Sequence, residues 1–259
     1  MGPGHQEDRT MDKKIALVTG GVGGIGSAIC KKLAQQGHFV VANYAIPGTE
    51  SKYLANMAAV GLNGGSTALA FGDVSDYDAM GEMVAGIVKE HGPVDVLVNC
   101  AGITRDSTFR KMTPEQWQLV IDTNLTSVFN VTKHVIDSMC ERGWGRVVNI
   151  SSVNGVRGQF GQTNYSAAKA GILGFTKALA QEVIRKGVTV NAVSPGYVET
   201  EMVAAIREDV KQQIVAQIPA GRLGRPEEIA ETIAYLCSEQ AAYVTGANLS
   251  VNGGLHMYA

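Results

Sequence analysis

The sequence predicts one α/β domain, a doubly wound sheet of about seven parallel strands with helices on both faces. Three observations carry this expectation. Strand-length apolar runs recur down the chain, helical stretches lie between them, and most of the runs are apolar nearly throughout instead of alternating. A strand that is apolar on both faces is covered on both faces, which is the condition of a parallel sheet joined by crossover helices.

In chain order the predicted strands are IALVTG (15–20), FVVAN (39–43), STALAF (66–71), VDVLVN (94–99), GRVVNIS (145–151), VTVNAVS (188–194) and ANLSV (247–251). A first helix is expected over Ser27–Gln36. Thr113-Pro-Glu-Gln116 supplies an N-cap, a proline at the first helical position and the glutamine of a capping box, so one long helix is expected from Pro114 to the stop at Gly143. Arg225-Pro-Glu-Glu opens another helix, running to Glu239. No internal repeat, low-complexity linker or break in composition divides the chain. Residues 12–259 are therefore expected to form a single dinucleotide-binding domain, and residues 1–11 a flexible tail or expression remnant, with Met11 an alternative start.

Composition narrows the function classes. Hydrophobic residues make up 45% and charged residues 18% of the 259, enough for a sizeable core and too apolar for a disordered chain. The net charge is -2 with no basic run, which argues against nucleic acid and against a polybasic membrane patch. Cys30, Cys100, Cys140 and Cys237 lie far apart with no C-x-x-C spacing, as expected of reduced core thiols in a cytoplasmic protein and not of a zinc site. No metal is expected, and no segment approaches the 18 uninterrupted apolar residues of a membrane span.

Strand one runs directly into Thr19-Gly-Gly-Val-Gly-Gly-Ile-Gly26 and then a helix. One frame reads G-x-G-x-x-G (Gly21, Gly23, Gly26) and another T-G-x-x-x-G-x-G (Thr19, Gly20, Gly24, Gly26). Glycines between a first strand and a first helix let backbone approach a pyrophosphate at the positive end of the helix. Asp73-Val74 after strand three offers a carboxylate and backbone to an adenine edge, and Asn99-Cys-Ala-Gly102 after strand four offers close approach. These features describe one nucleotide lying across the strand carboxyl ends, as in a Rossmann-like fold.

Tyr165 and Lys169 stand four apart, on one face of a helix made otherwise of small residues. An ammonium about 5 Å from a phenol contributes on the order of 3 kcal/mol toward the phenolate at an effective dielectric of about 20, roughly two pKa units. Ser152, in the loop after strand five, has a hydroxyl suited to orienting a carbonyl. Asn124 falls in the apolar stripe 117, 121, 124, 128, 131, 135 of the long helix and must be hydrogen-bonded, either to backbone or to water. A water chain from Asn124 to Lys169 would be a proton path.

With these motifs in that order, the chain resembles the short-chain dehydrogenase/reductase family over residues 14–254. The resemblance implies that Tyr165 is the general acid/base, that Lys169 lowers its pKa and binds nicotinamide ribose, that Ser152 positions the carbonyl and that Asn124 holds a relay water. It implies cofactor contacts from Gly20, Gly23, Gly24, Ile25, Gly26, Asn43, Tyr44, Asp73, Val74, Asn99, Ala101, Gly102, Pro195, Gly196, Val198 and Thr200. Within the family, AGITRDSTFRKMTPEQW, SSVNGVRGQFGQTNYSAAKAG, SPGYVETEM and LSVNGGLHM are similar to acetoacetyl-CoA reductases of polyhydroxybutyrate synthesis. That similarity implies acetoacetyl-CoA as substrate, a homotetramer, and Asp106, Lys111, Gln159, Phe160, Gln162 and Tyr197 as substrate-site residues, with the two aromatics enclosing a short acyl chain.

Two departures from the family pattern stand out. Cys100 replaces the second asparagine of N-N-A-G. The segment after strand two, Asn43-Tyr-Ala-Ile-Pro-Gly-Thr-Glu50-Ser-Lys52, has one cation, Lys52, and no terminal aspartate. The family implies NADPH, while Glu50 leans to NADH. Two other functions stay open: 3-oxoacyl-[acyl-carrier-protein] reduction, with Arg105, Arg110, Lys111 and Arg142 as a docking patch for the carrier, and a nucleotide-binding regulator without catalysis.

Overall fold

The structure is a computed structural model and describes residues 13–204 and 207–257, apart from the side chain of Met202. The expected tail over residues 1–11 lies outside the described residues. Seven strands form one parallel sheet: β1 (Ile15–Val18), β2 (Phe39–Tyr44), β3 (Thr67–Phe71), β4 (Val94–Asn99), β5 (Gly145–Ile150), β6 (Val188–Pro195) and β7 (Asn248–Val251), in the order β3-β2-β1-β4-β5-β6-β7. The order reverses between β1 and β4, so their carboxyl ends diverge into a crevice there, the place where open α/β sheets bind ligands.

Both faces of the sheet are covered. On one, Ala16, Val18, Val40, Ala42, Val96, Val98, Val148 and Ile150 pack against α1 (Gly24–Gln35) and α10 (Pro226–Leu236) through Ile29, Leu33, Ile229 and Ile233. On the other, Ile15, Leu17, Val41, Leu97 and Val147 meet α3 (Tyr77–His91), α5 (Ser127–Arg142) and α7 (Thr163–Val183) through Met80, Val84, Val131, Val135 and Ala180. Odd and even strand positions thus both reach a core, which is why the runs show no alternation.

Two helices depart from expectation in ways that matter for the site. α1 begins at Gly24, not Ser27, so the last glycines of the motif form its first turn. The long helix expected from Pro114 is in three pieces: α4 (Pro114–Ile121), a π-helical stretch over Asp122–Thr126, and α5. The inserted residue of a π turn re-aims one position of an otherwise regular helix, and Asn124 occupies that stretch, fully buried. α4 opens with the expected capping box, Thr113 with Gln116, and α5 ends at Gly143 in the left-handed region. The helix opened by Arg225 stops at Leu236, and a 3-10 turn follows at Glu239–Ala241. The remaining helices are α2 (Glu50–Ala59), α6 (Val153–Arg157), α8 (Glu201–Ala204) and α9 (Glu208–Gln217).

Candidate active site

The nucleotide end is built from absent side chains. A Cβ on Gly26 would lie 2.2 Å from the Gly20 carbonyl oxygen, one on Gly21 2.8 Å from Ala42, and one on Gly20, whose φ is +60°, 2.9 Å from Ala101 Cα. The loop is pinned from both sides. Thr19 Oγ1 accepts from the N–H groups of Cys100 (3.0 Å) and Ala101 (3.1 Å), and the Gly21 N–H donates to the Asn43 carbonyl (2.9 Å). Gly23 is the N-cap of α1 and has no side chain to cap it, and the first turn carries no acid. Gly23 and Gly24 are exposed. An uncapped helix start with exposed glycines is chemically suited to a pyrophosphate, so these residues fit a dinucleotide.

Other predicted cofactor residues converge on the same crevice. Thr200 packs on Gly24, where an added Cβ would meet its Cγ2 at 3.0 Å. Pro195 ends β6, the Gly196 N–H donates to the Val251 carbonyl (2.9 Å), and Val198 is buried and bridged to Gly224. Ile25, half-buried, lies in the first turn of α1. Asp73 is exposed, with one oxygen accepting from the Ser75 N–H and hydroxyl, while the buried Val74 has its carbonyl held by Asn130 Nδ2 at 3.0 Å.

Asn43 and Asn99 are placed differently from expectation. The Asn43 side chain is buried, donating to the Ala70 and Gly72 carbonyls and accepting from the Gly20 N–H, so it fastens the glycine loop to β3 and does not face a ribose. Asn99 Nδ2 donates inward to Asn149 Oδ1 (2.8 Å) and Thr132 Oγ1 (3.1 Å), which leaves the turn's backbone, with Ala101 and Gly102, facing the crevice. Tyr44, at the end of β2, lies edge-on to Phe71 at 5.4 Å. Lys52, the one cation of that segment, is ion-paired with Glu201, the residue after Thr200. Glu50 sits in the first turn of α2.

The catalytic end gathers Ser152, Tyr165 and Lys169 as the spacing predicts. Lys169 Nζ is buried, donates to the Ile150 carbonyl at 2.7 Å and lies 5.7 Å from the Tyr165 ring centroid. Ser152 caps α6, its Oγ accepting from the Asn154 N–H (3.1 Å), and its hydroxyl lies close enough to the Tyr165 phenol to favour the phenolate. Gly155 allows α6 to lie against α7 at this point, since a Cβ there would fall 2.6 Å from Lys169 Cβ. Gly102 separates Asn124 from Lys169: a Cβ on it would be 3.1 Å from Asn124 Oδ1 and 3.5 Å from Lys169 Nζ. Asn124 finds a backbone partner, Ile103, with Oδ1 accepting from its N–H and Nδ2 donating to its carbonyl, both at 2.8 Å.

The electrostatics differ from the simple Coulomb expectation. Burial pushes the Tyr165 phenol up from its ordinary pKa; the nearby Ser152 hydroxyl pulls it down, and Asp106, Cys100 and Tyr197 add to the rise. Burial pulls Lys169 down to about 8, so the cation invoked to favour the phenolate is itself weakened by the same loss of water. Desolvation is thus the leading influence on both groups, and on the phenol it acts in the opposite sense to the charge attraction expected from spacing alone. Burial also raises the Cys100 thiol to about 11, so Cys100 stays neutral beside the pair.

The substrate side is partly as expected. Asp106 Oδ2 accepts from Gln162 Nε2 (2.8 Å), and the Ser107 N–H donates to the Gly161 carbonyl (2.9 Å), tying two loops far apart in sequence. Gln159 Oε1 accepts from Arg157. Lys111 ends an exposed 3-10 turn, Phe109–Lys111. The aromatic enclosure is not formed: Phe160 is 86% exposed, and among the described residues it makes no ring contact with the half-buried Tyr197. The loop 158–162 carries Phe160 between glycines with positive φ at 158 and 161. The expected basic patch is also divided. Arg142 pairs with Asp95 and donates to the Val94 carbonyl at the start of β4, the opposite end from Arg105, Arg110 and Lys111.

Residues not anticipated from the sequence complete the site. Asn164, fully buried, donates to the Arg105 and Gln116 carbonyls and accepts from the Tyr165 N–H, so it fixes the start of α7. Ser151 Oγ donates to the Lys169 carbonyl at 2.7 Å. Asn154 Nδ2 donates to Gln162 Oε1 at 3.0 Å. Each lies within two positions of a predicted residue, but a polar residue beside a motif carries no period or spacing by which it could be singled out.

Comparison with known proteins gives the family. A family model described as Enoyl-(Acyl carrier protein) reductase matches residues 21–256. An acetoacetyl-CoA reductase of Cupriavidus necator is 59% identical over 95% of this chain and 100% of its own length. Nodulation protein G of Azospirillum brasilense is 57% identical over 95% and 99%. A 3-oxoacyl-[acyl-carrier-protein] reductase FabG of Vibrio cholerae is 45% identical over 95% and 99%. With the parallel seven-stranded sheet, the glycine loop and this extent of similarity, the chain belongs to the short-chain dehydrogenase/reductase family and is closely related to acetoacetyl-CoA reductases.

Proposed function

We propose that this protein reduces acetoacetyl-CoA to (R)-3-hydroxybutyryl-CoA for polyhydroxybutyrate synthesis, acting in the cytoplasm as a homotetramer. The observation that carries the reading is the Tyr165 phenol beside the Ser152 hydroxyl, with Lys169 Nζ 5.7 Å from its ring centroid on the same helix face and the glycine loop across the crevice. A bound nicotinamide dinucleotide, NADPH or NADH, supplies hydride to the carbonyl carbon. Tyr165 delivers the proton to the carbonyl oxygen, and Ser152, whose Oγ is already an acceptor for the Asn154 N–H, donates its own hydrogen to that oxygen. A phenol with a raised pKa holds its proton until the oxygen becomes basic, which suits the reductive direction. Lys169 would orient the ribose and stabilises the phenolate as negative charge develops on Tyr165. The Asn124 amide is occupied by Ile103, so a relay water would rest on the main chain of the π turn beside Lys169.

The CoA thioester is preferred over the carrier-protein thioester for two reasons. The Cupriavidus necator relative is 59% identical and the Vibrio cholerae relative 45%. The docking patch that a carrier protein needs is reduced to Arg105, Arg110 and Lys111, with Arg142 at the far end of β4. The cofactor segment leans to NADH, because Lys52 is engaged by Glu201 and Glu50 adds negative charge nearby. Initial rates with acetoacetyl-CoA and with acetoacetyl carrier protein, each with NADH and NADPH, test substrate and cofactor together. A rate many times higher with the carrier-protein thioester overturns the reading.

A further inference from the structure

Asp106, Gln162 and Asn154 form a chain of hydrogen bonds whose direction is forced from one end. The Asp106 carboxylate can only accept, so the amide nitrogen of Gln162 must face it, at 2.8 Å. Gln162 Oε1 then faces Asn154 and accepts from its Nδ2 at 3.0 Å. Asn154 Oδ1 is left without a partner, although the residue is only 7% exposed. At the same position the Asn154 main-chain N–H holds Ser152 Oγ. One residue of the five-residue α6 thus joins the loop carrying Asp106 to the serine beside Tyr165.

From this we infer that Asn154 is a positioning residue that sets how the Asp106–Gln162 pair is presented to the acyl thioester. Resting on the proposed thioester reduction, the inference adds a determinant of substrate affinity. Gln162 has two amide orientations that occupy the same space; Asn154 and Asp106 together select one. Without the donor at 154, the glutamine is free to turn its carbonyl toward the carboxylate, and the wall loses its order.

The forced polarity supplies the test. In Asn154→Asp the shape is kept but both neighbours of Gln162 are acceptors, so only one can be satisfied. KM for acetoacetyl-CoA is expected to rise about tenfold, with the loss falling mainly on KM and not on kcat. In the double variant Asp106→Asn/Asn154→Asp the chain can run in reverse: the amide introduced at position 106 can donate to Gln162 Oε1 while the carboxylate introduced at position 154 accepts from Nε2. Once Asp106→Asn is present, Asn154→Asp is expected to add less than twofold to KM. Fold-increases that multiply, or a single Asn154→Asp variant with unchanged KM, overturn the inference. Thermal unfolding of the same four proteins reads the chain without substrate. Coupling between the two positions in Tm, with none in KM, shows a purely structural chain and also overturns it. Coupling in Tm together with no turnover of acetoacetyl-CoA by the parent protein sinks the proposed substrate and leaves the chain standing.

Discussion

On the β1–β3 side of the crevice, backbone segments are brought together mainly by leaving side chains out, with the buried Asn43 amide as an added tie; on the β4–β6 side a whole set of buried amides ties them together. Gly20, Gly21 and Gly26 each sit where a Cβ would fall within 3 Å of another segment. Across the crevice, Asn99, Asn124, Asn149, Asn154 and Asn164 are all buried, and each bonds to another element or loop. The difference fits the task proposed for each side. A pyrophosphate is recognised by main-chain N–H groups that must come close, so bulk is the obstacle. Proton transfer to a carbonyl needs side chains aimed to within a few tenths of an ångström, and a buried, fully bonded amide fixes direction as well as distance.

Replacing the phenol gives the largest expected effect. Tyr165→Phe keeps the ring, its place above Lys169 and the packing of α7, and removes only the hydroxyl. Turnover of acetoacetyl-CoA should fall by at least about 100-fold, the lower range of general acid–base contributions. Dinucleotide affinity, read by fluorescence titration, should stay within about threefold, since a hydrogen bond to ribose contributes little in net terms. Retained turnover would sink the assignment. Gly26→Ala should do the reverse and damage the nucleotide side, because its Cβ would lie 2.2 Å from the Gly20 carbonyl oxygen and backbone must move. Dinucleotide affinity is expected to fall at least about tenfold, whereas Gly86→Ala, in α3 with nothing within 4 Å of the new Cβ, should leave it unchanged and stabilise the helix by roughly 0.5–1 kcal/mol. Equal effects at the two glycines would erase the contrast between open and crowded positions.

The nucleotide side was largely legible in the sequence, because absence of a side chain is written directly as glycine and its place after a strand is marked by the apolar run before it. The strands were legible to within two residues for the same reason. The catalytic side was legible only where spacing speaks: Tyr165 and Lys169 share a face at four residues apart, and Ser152 follows a strand. The buried amides were mostly hidden, since asparagine usually signals a turn and nothing in its neighbours says which will be enclosed. The π turn was hidden too: the apolar stripe reads unbroken from 117 to 135, but the inserted residue turns the helix, so that ahead of it Val120 is buried and the stripe's Trp117 is exposed, while 128, 131 and 135 stay buried. Asn43 misled because it stands at the end of a strand, where ligand residues are found, yet its amide is turned into the sheet.

Burial of Lys169 makes a pH prediction for the protein without added dinucleotide. The native ammonium has a pKa of about 8, against an ordinary 10.5. Below pH 8 both folded and unfolded chains carry the proton, and the cost of the buried charge is fully present. From pH 8 to 10.5 the unfolded chain holds more protons, so this group's contribution to stability rises with pH, by up to about 3 kcal/mol. Cys30 and Cys237, whose thiols burial pushes up, oppose it above pH 9 by holding protons that the unfolded chain releases. Comparison with Lys169→Met cancels the thiols. The stability of the methionine variant relative to the parent should be greatest at pH 7 and decline across pH 8 to 10.5 in urea unfolding. A difference that stays flat would show that Lys169 does not titrate in that window.

The finest test separates tying from touching. Asn149 lies behind the crevice, accepting from Asn99 Nδ2 (2.8 Å) and donating to Thr176 Oγ1 (3.0 Å), with Asn99 bonded in turn to Thr132; the chain joins α5, β4, β5 and α7. Asn149→Leu has similar volume but leaves an Asn99 N–H and the Thr176 oxygen without partners in the core. A loss of about 2 kcal/mol is expected, a Tm lower by roughly 4–8 °C. Because the Asn99–Gly102 backbone is also held from the other side by Thr19, dinucleotide affinity should fall by no more than about threefold, a loss near 0.6 kcal/mol, smaller than that from Gly26→Ala. Should the leucine variant keep its Tm and lose the dinucleotide instead, the amides would be part of the nucleotide site, and the division between a half built by space and a half built by bonds would fall.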